Sequence, residues 1–380
     1  MIYLDNSATT FPKPKGVYNA VNNAMQSFAA NPGRSGHKMS ITAAERVFEC
    51  RRAVAKLYNI EQTENIVFTP NCTYALNTVI NGYLKENDHV VVSQYEHNSV
   101  LRPLKQLESK GITYTAVKVE YGDSETTLNN FRNAINSKTR LFVITHASNV
   151  TGVVLPVSRL IALAHQYNIK VLVDTAQSSG VLLVDATAMN IDFLAAAGHK
   201  GLFGPMGTGV LYIKNPDEIS PLVCGGTGSS YLEIKQPDHM PDKFESGTCN
   251  LTGICGLLAG VEFVRNTTVE KIYQHEFTLL QRLYEGLSEI KSVKLYTPYP
   301  ETGFQVPVLS FNIKDIHSEE VAAQLSKSYS IAVRAGLHCA PLAHKALCTE
   351  NQGTVRASLS YFNNIQHINA LVKSVQKISR

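Results

Sequence analysis

The chain has 380 residues, 44% of them apolar and 17% charged, with a formal net charge of +4. It is long enough to bury a substantial core and exceeds one typical domain, so two domains, or one large α/β unit with an appended lobe, are expected. Gly and Pro at ordinary abundance exclude a disordered or fibrous chain, and the absence of a Lys/Arg patch interleaved with aromatics excludes nucleic acid as the expected partner.

The opening stretch "MIYLDNSATTFPKPK" places Asp5 where a signal peptide needs its apolar region, and no run approaches the length of a membrane span. No membrane partner and a cytoplasmic location are therefore expected. Residues 15–30 read as a first helix, and 40–58 as a second with Ser40 as N-cap. Short apolar runs then alternate with helical segments. Strands are expected at 65–69, 89–93, 113–119, 139–146, 170–175, 191–198 and 208–213, with helices at 72–84 and 98–110. This is the pattern of an α/β fold with a mostly parallel sheet flanked by helices. Glycine-rich 224–233 and the stretch 244–250 read as loops. Helices at 253–266 and 269–290, a strand at 306–313, the 334–340 loop and a terminal helix at 364–377 suggest a smaller α+β lobe. The expected division is 15–255 for the large domain, with 1–14 and 256–380 forming the small one.

Ligands of such sheets bind beyond the carboxyl ends of the strands. That rule collects Thr69 to Thr73, Glu96 and His97, Asn149, Asp174 to Gln177, and His199 with Lys200 at one rim. A buried lysine is costly unless it reacts, and an imine with an aldehyde cofactor such as pyridoxal phosphate removes its charge problem. Asp174 then reads as the partner of the pyridine nitrogen, or as a plain helix cap. The helix opening at "TPNCTYALNTVING" offers amides and the Thr73 hydroxyl to a phosphate. Neither GxGxxG after the first strand nor GxxxxGK[ST] is present. The seven cysteines (50, 72, 224, 249, 255, 339 and 348) form no C-x₂-C pair, so free thiols and no metal site are expected. Cys339, in the basic loop "RAGLHCAPLA", reads as a reactive thiol or as a buried small hydrophobe.

The ordered set "YLDNSATT", "NPGRSGH", "EHNS", "SNVTG", "VDTAQSSG", "GHKGLFGPMGTG", "FESGT", "RAGLHCA" and "TVRAS" spans essentially the whole chain. With it the chain resembles the fold-type I pyridoxal phosphate enzymes of the class V aminotransferase superfamily, and within them the cysteine desulfurase and selenocysteine lyase family. The compact cysteine loop resembles that of the short-catalytic-loop group.

The resemblance implies Lys200 as the Schiff-base lysine, Asp174 on the pyridine nitrogen, Gln177 on the phenolic oxygen and His97 stacked on the ring as a proton shuttle. It places Cys72 in the cofactor site, Thr73 and His199 on the phosphate, and Thr248 on the phosphate of the neighbouring subunit, which makes the active site part of a homodimer. Asn149 and Arg356 would clamp the substrate carboxylate, with Arg334 beside them. Cys339 would take sulfur from L-cysteine, or selenium from L-selenocysteine, with Arg334 and His338 favouring its thiolate. A sulfur-acceptor protein or small thiol would clear the persulfide. Other reactions of the same fold, transamination or epimerisation, would not need Cys339. Two departures stand out: Leu337 where relatives often carry a second histidine, and Ala197 in place of a phosphate-binding hydroxyl residue.

Overall fold

The computed structural model describes residues 1–33, 36–229, 232–297 and 299–380. The quoted stretches 31–37 and 224–233 include residues 34, 35, 230 and 231, which lie outside the described residues. A short strand β1 (Ile2–Tyr3) and helices α1 (Lys15–Ser27) and α2 (Lys38–Tyr58) come first. Strands and helices then alternate: β2 (Ile66–Thr69), α3 (Cys72–Tyr83), β3 (His89–Ser93), α4 (Asn98–Leu107), β4 (Thr113–Val117), α5 (Ser124–Asn133), β5 (Thr139–Thr145), α6 (Val157–Gln166) and β6 (Lys170–Asp174), with β7 (Phe193–Ala197) and β8 (Gly209–Ile213) following. The remainder comprises α7 (Leu251–Thr267), α8 (Val269–Ser288), β9 (Val293–Leu295), β10 (Val308–Ile313), α9 (Ser318–Tyr329), β11 (Ile331–Ala332), β12 (Arg334–Gly336), α10 (Pro341–Leu347), β13 (Thr354–Ser358) and α11 (Ile365–Ile378).

Seven strands form the main sheet in the order β2-β8-β7-β6-β5-β3-β4. All run parallel except β8, which is antiparallel to both β2 and β7. Side chains alternate between faces, so Phe142 and Ile144 of β5 join the core on one side while Leu141 and Val143 join the core on the other. Helices cover both faces, which explains why the strands read as continuous apolar runs.

The second sheet, β12-β13-β10-β9, is antiparallel and packs with α8, α9 and α11 around Phe277, Leu283, Phe311, Val355 and Leu371. β1 pairs with β11, and Leu4 is buried in this second core. Among the described residues no helix is long and apolar enough to cross a membrane.

Two expectations are corrected. Ser40 does not cap α2: the helix begins at Lys38, the His37 ring Nδ1 accepts from the Ser40 N–H, and the Ser40 hydroxyl donates to the Asn31 carbonyl. Residues 334–336, expected within a loop, pair as β12 with β13. The boundary near 255 falls inside α7, whose Ile254, Leu257, Leu258 and Val261 belong to the core of the large sheet. Glycine allows this packing: a Cβ at Gly260 would stand 2.2 Å from the Leu202 carbonyl, so α7 lies directly on the loop that follows Lys200. The chain turns out of that lobe at Thr268 (φ 74°).

Candidate active site

A cavity of about 220 Å³ opens at the carboxyl rim of the main sheet. Asp174 is the last residue of β6, and Lys200 follows β7 by a short turn. Cys72 and Thr73 open α3, and His97 is the N-cap of α4. Arg334 and Arg356 arrive from the second sheet, opposite one another in the β12–β13 register. Together with Gln177, His199 and Asn149 these side chains line the one cavity.

Lys200 and Asp174 form its floor. Burial holds the Lys200 ammonium below its usual pKa, and the Asp174 charge restores only part of the loss. Burial likewise raises the Asp174 carboxyl. Asp174 Oδ1 accepts from the Ala176 N–H at 2.9 Å and from the Cys72 thiol at 3.5 Å, leaving Oδ2 for a partner in the cavity. Cys72 is thus a support of Asp174 as well as a wall.

The His97 ring Nδ1 accepts from the Ser99 N–H at 3.0 Å. Nδ1 is therefore unprotonated, and the Ser99 hydroxyl at 2.8 Å must donate to it while taking the Thr73 hydroxyl at 2.7 Å. Burial, with Lys200 and Arg334 adding positive charge, lowers His97 to about 4, so the ring is neutral with its proton on Nε2. Gln177 Nε2 donates to the Ser7 carbonyl at 3.2 Å.

His199 is lowered to about 4 by burial and by the charges of Lys200 and Lys13, and its Nδ1 has no partner. Its carbonyl accepts from the Thr10 N–H at 3.1 Å, the Thr9 hydroxyl at 3.1 Å and the Lys13 ammonium at 2.7 Å. Burial pushes Lys13 down to about 8. Neither Lys13 nor this clamp on the backbone before Lys200 was flagged by the sequence reading. The only local signal is a lysine between two prolines in "FPKPK".

Arg356 is 1% exposed. It donates to the Asn149 carbonyl and to Asp5 Oδ1, each at 2.9 Å, and its Nε has no partner. Asp5, used above only against a signal peptide, is thus a site residue that sequence reasoning missed. The Asn149 side-chain amide donates to the His338 carbonyl at 2.7 Å.

Cys339 is exposed and lies outside the cavity wall, in the turn between β12 and α10, within electrostatic reach of Arg356. The expectation that His338 favours its thiolate as a neighbouring cation is corrected. His338 is 4% exposed, its Nε2 donates to the Thr354 carbonyl at 3.0 Å, and burial together with Arg356 lowers it to about 2. A ring held neutral in this way supports the turn and adds no charge. Leu337, by contrast, is exposed beside Cys339. Thr248 is exposed away from this cavity, near Asn31, so the structure does not bring it to the site of its own chain. Ala197 contributes only a methyl group to the wall.

The donor set fits pyridoxal phosphate. A lysine whose burial disfavours its charged form meets the aldehyde, a buried carboxylate with one free oxygen meets a ring nitrogen, and the first-turn amides of α3 with the Thr73 hydroxyl and the unpartnered His199 Nδ1 meet a phosphate. Among the described residues no cluster of His, Cys, Asp or Glu is arranged to hold a metal ion.

A mixed α/β sheet carrying a lysine and an aspartate at one rim, with arginines supplied from a second lobe, defines a class that comparison identifies. The profile of the aminotransferase class-V family matches residues 2–371, and the chain belongs to that family. Within it, the chain is similar to proteins described as cysteine desulfurases. A probable cysteine desulfurase of Methanothermobacter thermautotrophicus is 34% identical over 386 residues, covering 100% of this chain and 94% of the relative. That of Pyrococcus abyssi is 34% identical over 388 residues, with the same coverage of 100% and 94%. Among solved structures, the apo cysteine desulfurase of Thermococcus onnurineus NA1 superposes with a TM-score of 0.91 at 34% identity, covering 100% of this chain and 94% of that one.

Proposed function

We propose that the protein is a cysteine desulfurase that uses pyridoxal phosphate to convert L-cysteine to L-alanine and receives the released sulfur on Cys339 as a persulfide. The observation that carries this reading is the meeting of Lys200, Asp174 and Arg356 in one cavity with the turn that bears an exposed thiol. Lys200 would hold the aldehyde carbon, Asp174 the ring nitrogen, Gln177 the phenolic oxygen and His97 the ring face. Thr73, the α3 amides at Cys72 and His199 would hold the phosphate. Thr248 of a second copy would complete that site, which makes the working unit a homodimer.

When bound, the cofactor supplies an electron sink that loosens first the Cα–H bond of the substrate and then its Cβ–S bond. Lys200 Nζ takes the Cα proton, for which the burial that favours its neutral amine prepares it. Asp174 keeps the proton at the ring nitrogen in place. Arg356 orients the substrate carboxylate through the Nε left without a partner, and Arg334 adds positive charge beside it. The Cys339 thiolate attacks the substrate sulfur: an S–S bond forms as the Cβ–S bond breaks, Cβ takes up a proton, and the proton held by Lys200 returns to Cα. One thiol and one cysteine thereby become one persulfide and one alanine. The exposure of Cys339 leaves that persulfide open to an acceptor protein or a small thiol.

The test is incubation of purified protein with L-cysteine, with alanine and protein-bound persulfide measured together. In a first turnover the two appear in equal amounts. Alanine without persulfide on Cys339, or a keto acid or inverted amino acid in its place, refutes the reading.

A further inference from the structure

Cys72 is the one cysteine among the described residues that lines the cavity, and its surroundings give it a different duty from that of Cys339. It opens α3 behind the Asn71 cap, whose side chain accepts from the Tyr74 N–H at 2.9 Å, so its main chain belongs to the helix start while its side chain reaches Asp174 at the end of β6. There the S–H donates to Asp174 Oδ1 at 3.5 Å, and the Ala176 N–H donates to the same oxygen at 2.9 Å. Two donors on one oxygen fix the rotation of the carboxyl group and leave Oδ2 for the cavity. A hydrogen bond to the charged form of a buried acid also favours that form. Burial raises Asp174, and the Ala176 N–H, the Lys200 charge and the Cys72 thiol each oppose the rise. Cys72 serves in this way only while it keeps its proton. Burial and the adjacent Asp174 charge push the thiol well above its ordinary range, against a smaller pull from Lys200, so it stays S–H and does not compete with Cys339 for sulfur.

We propose that Cys72 is a positioning residue for the cofactor, its S–H locking the Asp174 carboxylate so that Oδ2 meets a protonated ring nitrogen. This inference rests on the cofactor assignment in the proposed function and not on the fate of the substrate sulfur. It gives the Cys72 side chain a role separate from the phosphate contact of its main-chain amide. A serine at 72 keeps an O–H donor, whereas an alanine removes the donor and leaves Asp174 Oδ1 with the Ala176 N–H alone.

The experiment strips the full-length chain of cofactor with hydroxylamine and offers it an equimolar mixture of pyridoxal phosphate and the analogue in which a ring C–H replaces the nitrogen. Borohydride then fixes whichever aldehyde is bound to Lys200, and mass spectrometry of the Lys200 peptide gives the ratio of the two. Unsubstituted protein, Cys72→Ala and Cys72→Ser are compared. Only pyridoxal phosphate can pair its ring nitrogen with Asp174, so the ratio isolates that pair and is blind to losses that affect both compounds alike. Loss of the S–H donor lowers the ratio about fivefold in Cys72→Ala, and Cys72→Ser restores it. A ratio unchanged in Cys72→Ala would show that the thiol only fills space and would overturn the proposal, as would a serine variant that behaves like the alanine one. If the alanine variant fails to fold, Cys72→Val, which lacks the donor at similar volume, carries the comparison with serine. A chain that takes up neither compound overturns the cofactor assignment and this inference with it. Absence of alanine from L-cysteine in a chain that shows the fivefold effect counts against the desulfurase reading alone, because the ratio needs no turnover.

Discussion

Glu96, immediately before His97, has no exposed surface. Its Oε1 accepts from the Ser93 hydroxyl at 2.6 Å and the Thr145 N–H at 2.8 Å, and its Oε2 has no partner. Burial pushes the carboxyl up from 4.5 to about 8; the two donors oppose the rise and the nearby Asp174 charge adds to it. The unfolded chain releases this proton near 4.5 and the folded protein keeps it to about 8, so between those values the folded state holds the extra proton and stability falls as pH rises. Glu96→Gln keeps the Oε1 acceptor and stays neutral throughout. Its amide nitrogen takes the unpartnered position at a cost that does not vary with pH. At about 1.4 kcal/mol per pH unit, the wild type loses about 3 kcal/mol relative to the variant between about pH 5.5 and about pH 8.5. Urea unfolding of both proteins across that range measures the difference, in which the titrating groups not coupled to Glu96 cancel. A wild-type minus variant difference that stays flat with pH would refute a protonated Glu96.

Cys339→Ser should still bind L-cysteine, because Cys339 is no part of the cavity wall, and should release no alanine above background in a single turnover; undiminished release would move the sulfur chemistry elsewhere. Glu245 makes a two-bonded pair with Arg51, both contacts at 2.8 Å, and anchors the "FESGT" stretch. Glu245→Ala leaves the 5% exposed Arg51 without a counter-charge and should cost about 3–5 kcal/mol in chemical denaturation, whereas replacing both residues by leucine should cost much less. Sedimentation should find activity only in a two-chain species, and an active monomer would rule out the Thr248 assignment.

What the sequence revealed depends on how local each cause is. The run 89–93 reads as a strand because burial on both faces favours a continuous apolar centre, here Val90, Val91 and Val92. β8 is equally apolar in either direction, so its reversal cannot be read from its own residues; the turn-rich 198–208, which contains no crossover helix, is what enforces it. A long helix such as α7 announces itself in the sequence without naming the sheet it covers. Gly256 and Gly260 carried the missing information as close-approach positions on the loop after Lys200. Lys200 and Asp174 were legible through the strand-end rule. Asp5 was not, since its partner Arg356 stands at the other end of the chain and a pair across lobes leaves no local pattern. His338 misled for the opposite reason: adjacency to Cys339 is visible in the sequence, but the burial that keeps its ring neutral is not.

The proposed reaction places opposing demands on its two nucleophiles, and the lobes separate them. Lys200 must shed its charge, which burial under the rim promotes, while Cys339 must meet both a substrate inside the cavity and an acceptor outside it. A thiol sealed on the main sheet would satisfy the first meeting and prevent the second. A short turn carried by the second sheet satisfies both: along it, Leu337 is 45% exposed, His338 is buried, Cys339 is exposed and Ala340 is buried again. The buried residues fasten the turn to both lobes, and the exposed ones stand at the mouth. The fastening must be short, because each extra residue of free loop would add conformations in which the thiol misses the substrate sulfur. Two consecutive left-handed residues, His338 at φ 47° and Cys339 at φ 57°, are the cost of so tight a turn, and the Asn98 N–H, which donates to the Cys339 carbonyl at 2.7 Å, helps to offset it.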